Sequence, residues 1–353
     1  MTKRRVNVSG GASGAAIGGG ARVSVQSMTN TDTRDAPATL AQIRALAAAG
    51  CDIVRLAVPD GEAARALAAI CAESPVPLVA DIHFDHRLAL AACEAGIGKI
   101  RINPGNMRKP EHVKAVAAAC RERGIPIRIG VNGGSLSKEL LARFGGPAPE
   151  ALAASALEQA AVLEDFGFTD IVLSLKASNA RDTVAANRIV HERCDYPLHL
   201  GVTEAGTYDT ALVKSAAGIG SLLIDGIGDT IRVSVTGDPV REVSAGLAIL
   251  RACGLRSDGV EIISCPTCGR CRADVIGMAE LLERRAAHIT APLTVAVMGC
   301  EVNGPGEASR ADIGFAGTEG GWLLFEKGKI VGTLTSSNVL DKLMERIEGW
   351  DGI

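Results

Sequence analysis

The 353 residues suffice for two domains of ordinary size, and 37 Lys and Arg against 40 Asp and Glu leave a formal net charge of -3, with no general pull toward nucleic acid or anionic membranes. Hydrophobic residues make up 47% and aromatic ones 3%, so the core must be built from Ala, Val, Leu and Ile, and platforms for stacking bases are lacking. No run reaches the ~18 apolar residues of a membrane span, and the basic start Lys3-Arg4-Arg5 leads into Gly, Ala and Ser instead of a secretory core, which points to a cytoplasmic protein.

From residue 23 to residue 252 one unit repeats: a short β-branched run, a polar loop, then an Ala/Leu-rich segment often closed by Gly. Strands are expected at Val23–Ser27, Asp52–Val58, Pro77–His83, Lys99–Asn103, Pro126–Asn132, Asp170–Lys176, Pro197–Thr203 and Ser221–Ile224, with a further run at Thr230–Val235. Helices are expected near 38–49, 61–73, 86–95, 110–123, 150–166, 179–193, 207–217 and 239–252. Gly50, Gly96, Gly124, Gly167 and Gly218 stand where helix C-caps belong. This alternation predicts an α/β fold, a (β/α)8 TIM barrel, over an open doubly wound sheet. No phosphate-binding glycine-rich turn follows the first strand, which weakens the open-sheet option further. The barrel is expected over 1–252. A polar break at Gly254–Gly259 then leads to a smaller α+β domain over 260–353, with strands at Gly259–Ser264, Leu293–Met298 and Trp322–Glu326 and helices near 273–287 and 338–348.

In such a barrel, chemistry sits where strands end and loops begin. Those ends carry Arg55, Asp81, His83, Arg101, Asn103, Arg128, Asn132, Ser174, Lys176, Thr203, Glu204 and Arg232. Several pairs are two or four residues apart and so share one strand face. Four arginines and a lysine converging on one mouth suit a small diphosphate, because guanidinium forks match phosphate oxygens in bidentate fashion. The bland alternative pairs each cation with a nearby acid. Glu204, the acid at its loop start, is a candidate proton donor.

Ten cysteines in a cytosolic chain do not read as a disulfide framework. Cys51, Cys71, Cys93, Cys120, Cys194 and Cys253 lie singly in or beside helical segments, as buried small hydrophobes do. The other four cluster: Cys265-Pro-Thr-Cys268-Gly-Arg-Cys271, and Cys300 opening a run to Glu307. Two thiolates three positions apart can grip one metal centre, and a third from a distant loop can close the grip. A zinc ribbon usually shows a second Cys-x-x-Cys pair, which Cys300 does not supply; the spacing favours iron–sulfur and leaves zinc open, with Cys271 able to add a fourth thiolate.

With these residues assembled, the chain closely resembles the bacterial 4-hydroxy-3-methylbut-2-enyl diphosphate synthase family of non-mevalonate isoprenoid biosynthesis. The matching segments run nearly end to end: Val25–Asn30, Asp52–Arg55, Ala80–Asp85, Arg101–Asn106, Ile127–Asn132, Leu198–Gly206, Gly226–Ser234, Cys265–Cys268 and Cys300–Glu307. The resemblance implies reductive opening of 2-C-methyl-D-erythritol 2,4-cyclodiphosphate on a [4Fe-4S] cluster held by Cys265, Cys268, Cys300 and Glu307. It also implies phosphate contacts from Arg55, Arg101, Arg128, Lys176 and Arg232, with Asp81, His83, Asn103, Asn132 and Ser234 beside them, and Glu204 and Glu307 in catalysis. A flavodoxin or ferredoxin is the implied electron donor. Cys271 departs from the family's ligand pattern and is expected to be a spectator. A carboxylate is more easily displaced than a thiolate, so Glu307 would leave one iron open to exchange.

The last barrel helix runs back to the face opposite the mouth. The break that follows reaches at most ~25 Å, while the helix just traversed is itself ~20 Å long. The cluster domain is therefore expected to serve the mouth of a second subunit in a homodimer. The alternative reading is a barrel enzyme on another phosphorylated substrate with a structural zinc domain.

Overall fold

The computed structural model describes residues 3–12, 14–103, 106–107, 109–301, 306, 308–335 and 338–350. The chain forms two compact units, Met1–Leu255 and Arg256–Ile353. In the first, a hairpin of β1 (Val6–Val8) and β2 (Ala15–Ile17) precedes eight strands. These are β3 (Ser24–Met28), β4 (Ile53–Ala57), β5 (Leu78–Asp81), β6 (Lys99–Ile102), β7 (Ile127–Asn132), β8 (Ile171–Lys176), β9 (His199–Leu200) and β10 (Thr230–Ile231). They pair in parallel in the order β8-β7-β6-β5-β4-β3-β10-β9. A parallel bridge from Leu173 to Leu198, with Leu173 N donating to Pro197 O at 3.0 Å, brings the two ends of this sheet together. The expected barrel is thus present.

Its helices are α1 (Ala36–Ala48), α2 (Gly61–Glu73), α3 (His86–Glu94), α4 (Pro110–Arg123), α5 (Lys138–Phe144), α6 (Pro149–Asp165), α7 (Ala180–Arg193), α8 (Tyr208–Ser215), α9 (Ser221–Ile224) and α10 (Pro239–Ala252). Asp35, Asp60, Asp85, Asn179 and Asp238 cap five of them, each side chain accepting from a first-turn amide. Small buried side chains such as Ala63, Ala92, Ala117, Ala156 and Ala186 let the helices lie close to the strands, and this is where the alanine-rich composition goes. Of the six single cysteines, Cys51, Cys93 and Cys120 are buried while Cys71, Cys194 and Cys253 are only partly so.

Two expectations fail here. Ser221–Ile224 is the helix α9, and the eighth barrel strand is the later run at Thr230–Ile231. Ile219, Leu222 and Leu223 are buried while Ile224 is 75% exposed, a helical spacing that a four-residue apolar window cannot distinguish from a strand. Gly218 is no C-cap: it lies inside the π-helical turn Ala216–Gly220 that carries α8 into α9, where an added Cβ would come 2.6 Å from Val202 Cγ2. The hairpin and α5 were not anticipated. The hairpin closes the barrel floor, with Val6, Val8 and Ile17 packed against Ile53, Val79 and Val172 from three strands.

The second unit is a five-stranded sheet in sequential order: β11 (Val260–Ser264), β12 (Leu293–Met298), β13 (Ile313–Thr318), β14 (Gly321–Glu326) and β15 (Lys329–Leu334). The first three are mutually parallel and the last two antiparallel. Helices α11 (Val275–Ala286) and α12 (Val339–Glu348) share a core with the sheet through Leu282, Val295, Phe315, Leu343 and Ile347. β13 and β15 were not expected. Gly314 is required in β13 because Phe325 would lie 2.2 Å from its Cβ, and such glycines make the run read as loop.

Because Ile17 is fully buried in the floor plug, Ile17→Ala is expected to cost the barrel unit about 2–5 kcal/mol. Guanidinium unfolding checks this: the midpoint of the barrel transition should fall with its slope unchanged.

Candidate functional site

Strand register brings the mouth residues together. Asp81 on β5 is paired with Arg101 on β6, and Arg101 with Arg128 on β7, so these three charges lie side by side in one row. Asn132 and Lys176 are paired further along β7 and β8. A cavity of about 270 Å³ is lined by Arg55, Asp81, His83, Arg101, Arg128, Asn132, Ser174, Lys176, Thr203, Arg232 and Ser234. Its neighbour, about 670 Å³, shares His83, Arg101, Asn132 and Thr203 and adds Asn103 and Glu204. Every barrel residue singled out from the sequence lines one of the two. Glu204 stands at the exposed rim with a left-handed backbone, φ 53°, which is costly for a residue with a side chain.

The expectation that each cation pairs with an acid holds in part. Asp81 Oδ1 accepts from Arg101 Nη1 at 2.9 Å, Arg55 Nε lies 3.9 Å from Asp81 Oδ2, and His83 Nε2 lies 3.5 Å from it. Burial alone would raise the Asp81 carboxyl; the His83 contact and the charges of Arg55 and Arg101 outweigh it and hold the group well below the usual carboxylate range. Arg232 donates to both oxygens of Glu242, at 2.9 and 3.2 Å, and Glu242 also accepts from Ser27 Oγ at 2.8 Å and Val235 N at 3.0 Å. Glu242, 2% exposed on α10, escaped the sequence reading because an acid in a first helical turn normally faces water. Arg55 Nε donates to Met28 Sδ at 3.0 Å, and burial pulls that guanidinium down to about 10.

Arg128 is different. It is 1% exposed, and its Nε and Nη1 have no hydrogen-bond partner among the described residues. Burial, then the charges of Arg55 and Arg101, push it well below its ordinary value; burial and then Arg232, Arg128 and Arg55 do the same to Lys176. A cluster of cations with this little acid among them has the chemistry to hold an anion.

Two glycines give the cations room. An added Cβ on Gly130 would come 2.5 Å from Arg101 Nε, and one on Gly201 would come 2.7 Å from Lys176 Nζ and 2.6 Å from the Arg232 carbonyl.

In the second unit, Cys265 directly follows β11, and Cys300 comes two residues after β12. Those strands are parallel neighbours with Ser264 opposite Val297, so both cysteine segments leave from the same sheet end. Gly299 N donates to Cys265 Sγ at 3.1 Å, Arg272 N donates to Gly299 O at 2.7 Å, and Cys271 N donates to Cys268 O at 2.9 Å. A Cβ on Gly299 would strike Cys271 Sγ at 2.6 Å and approach Cys265 Sγ at 3.3 Å. Cys271 Sγ donates to Ala273 O at 3.1 Å, and the Arg270 amide lowers the exposed Cys268 thiol below its ordinary value. Among the described residues no three His, Cys, Asp or Glu side chains stand together as a single metal ion would need. Glu307, the expected fourth ligand, lies outside the described residues.

Comparison with known proteins gives this arrangement its family. The description "GcpE TIM-barrel domain" matches residues 4–247, and "GcpE protein C-terminal domain" matches 261–349. The chain belongs to the GcpE family. A relative from Geobacter sulfurreducens is 58% identical over 332 residues, 94% of each chain, and carries the name 4-hydroxy-3-methylbut-2-en-1-yl diphosphate synthase (flavodoxin). Relatives of the same name from Caldanaerobacter subterraneus and Clostridium perfringens are 56% and 55% identical, again over 94% of this chain. Among solved structures, a Yersinia pestis dihydropteroate synthase covers 70% of this chain and 98% of its own, with TM-score 0.50 and 14% identity, a likeness of fold alone. No helix of this GcpE protein, among the described residues, is long and apolar enough to cross a membrane.

Gly130→Ala tests the mouth geometry. The Cβ meets a flexible side chain, so the thermal midpoint should stay near that of the wild type while Arg101 is displaced. Losing one charge-assisted contact of about 1.5–3 kcal/mol predicts a roughly ten- to hundredfold weaker Kd for inorganic pyrophosphate, read by calorimetry.

Proposed function

We infer that this protein opens 2-C-methyl-D-erythritol 2,4-cyclodiphosphate reductively, releasing water and (E)-4-hydroxy-3-methylbut-2-enyl diphosphate, as a cytoplasmic enzyme of non-mevalonate isoprenoid synthesis. The observation that carries this reading is the unbalanced positive charge at the barrel mouth, in a chain whose relatives bear the synthase name over 94% of its length. Arg55, Arg101, Arg128, Lys176 and Arg232 bind the diphosphate, and Asn103, Asn132, His83 and Ser234 orient it by hydrogen bonds. Asp81 holds Arg101 and Arg55 in place, as Glu242 holds Arg232. Glu204, on the rim, donates a proton to the departing hydroxyl.

Cys265, Cys268 and Cys300 with Glu307 would hold a [4Fe-4S] cluster. The thiol-rich segments at the sheet end and the space kept beside Gly299 support that assignment, as does Cys271's bond to the Ala273 carbonyl, which occupies the remaining thiol. When bound, such a cluster supplies electrons one at a time and a Lewis-acidic iron whose carboxylate ligand can be exchanged. A flavodoxin, part of the name those relatives carry, or a ferredoxin reduces it. The zinc-domain alternative is not favoured by relatives whose synthase name carries flavodoxin, an electron carrier.

Anaerobically purified protein should be brown and should turn over the cyclic diphosphate with a strong reductant. Cys271→Ser should keep both properties, and Glu307→Ala should lose turnover. A colourless, active protein would overturn the cluster assignment, and loss of the cluster in Cys271→Ser would overturn the ligand set. The protein should also be a homodimer with shared sites: α10 follows the last barrel strand away from the mouth, and a short polar stretch comes next. Mixing Cys300→Ser chains with Arg101→Ala chains should restore activity to the heterodimer, and a mixture as inactive as either parent would refute sharing.

A further inference from the structure

A barrel interior is ordinarily filled by layers of bulky branched side chains. Here apolar residues form the floor, where Ile53, Val79 and Val172 meet the hairpin. The barrel also encloses Ser24, Gln26, Lys99, His199 and Thr230, none more than 3% exposed. Ser24, Thr230 and His199 are register partners across β3, β10 and β9, and Lys99 shares the inward face of β6 with Arg101. Among the described residues, the hydroxyls of Ser24 and Thr230, both amide atoms of Gln26, Lys99 Nζ and both His199 ring nitrogens have no hydrogen-bond partner.

The charged groups facing Lys99 are Arg128 on β7 and Arg55 on β4. Those facing His199 are Arg128, Lys176 on β8, Lys99 and Arg55. All are cationic, while Asp81 and Glu242 are engaged by Arg101 and Arg232. Burial first, then these cations, drive Lys99 and His199 far below their ordinary values. A guanidinium holds its proton tenaciously, so the amines of Lys99 and Lys176 and the imidazole of His199, buried among these cations, are the members that give up their protons. An amine is intrinsically about four units more basic than an imidazole, so Lys99, like Lys176, regains its proton before His199 when negative charge arrives.

We propose that Lys99 is a positioning residue of the anion site: it takes a proton from solvent when a diphosphate fills the mouth, and the ammonium so formed draws the phosphates toward the barrel interior. This rests on the mouth being a diphosphate site. The test is calorimetric titration of inorganic pyrophosphate into the full-length, cluster-loaded protein at pH 8, in buffers of different ionisation enthalpy. The wild type should take up about one proton more per pyrophosphate bound than Lys99→Met. Lys99→Met should also bind pyrophosphate about tenfold more weakly, yet melt at a higher temperature, because a buried amine without a partner has been removed. Lys99→Gln, measured in parallel, should show the same missing proton and guards against misfolding of the methionine variant. His199→Gln should keep the wild-type proton count. Equal proton counts in wild type and both Lys99 variants, or a missing proton in His199→Gln alone, would overturn the inference while leaving the diphosphate site standing. A wild type that binds no pyrophosphate would overturn both.

Discussion

Charge inside a barrel must be matched by opposite charge, by hydrogen bonds or by a ligand, because water is excluded there and an unmatched ion is costly. In this chain the matching stops part-way. Asp81 answers Arg101 and reaches Arg55, and Glu242 answers Arg232. Among the described residues, Arg128 keeps two guanidinium nitrogens without a partner in the same space. The remaining positive charge suits the mouth to an anion, and the barrel walls hold those cations together in one space. The hairpin seals the floor, alanine-rich helices close the wall, and Gly130 and Gly201 leave space across which Arg101 and Lys176 extend.

The second unit meets a similar demand with different chemistry. Parallel neighbours β11 and β12 end side by side, so cysteines 35 positions apart in sequence emerge from one edge. Donor groups gathered at the carboxyl ends of adjacent parallel strands are the common solution in open sheets. The same rule places Asp81 at the end of β5 and Arg101 near the end of β6, while Arg128, second in β7, joins the row through its register with Arg101.

Much of this was legible residue by residue. Charged residues at alternate positions of apolar strands announce a shared inward face, and Arg55, Arg101, Arg128 and Lys176 all line the same cavity. The helices expected near 61–73 and 239–252 are present, and Asp60 and Asp238 fix their starts, each side-chain oxygen accepting from first-turn amides. The failures were local ambiguities settled by distant packing. Ser221–Ile224 is apolar enough for a strand, and only burial beside the preceding π turn makes it a helix. The glycines of β13 conceal a strand because Phe325, on the neighbouring strand, needs the space. Lys99 could have been found, since it is two residues before Arg101 and must share its face; its isolation from any acid could not.

By itself the sequence determined the alternation that makes a barrel, the cations at its strand ends and the clustered thiols, because periodicity, capping and motif spacing act over a few residues. The tertiary structure decided which of those cations are neutralised. Glu242 follows Arg232 by 10 positions and reaches it only because α10 packs against β3, and Asp81 meets Arg101 only through strand register. Electrostatic balance depends on distance and burial, and both are set by the closed barrel and not by any stretch of chain within it.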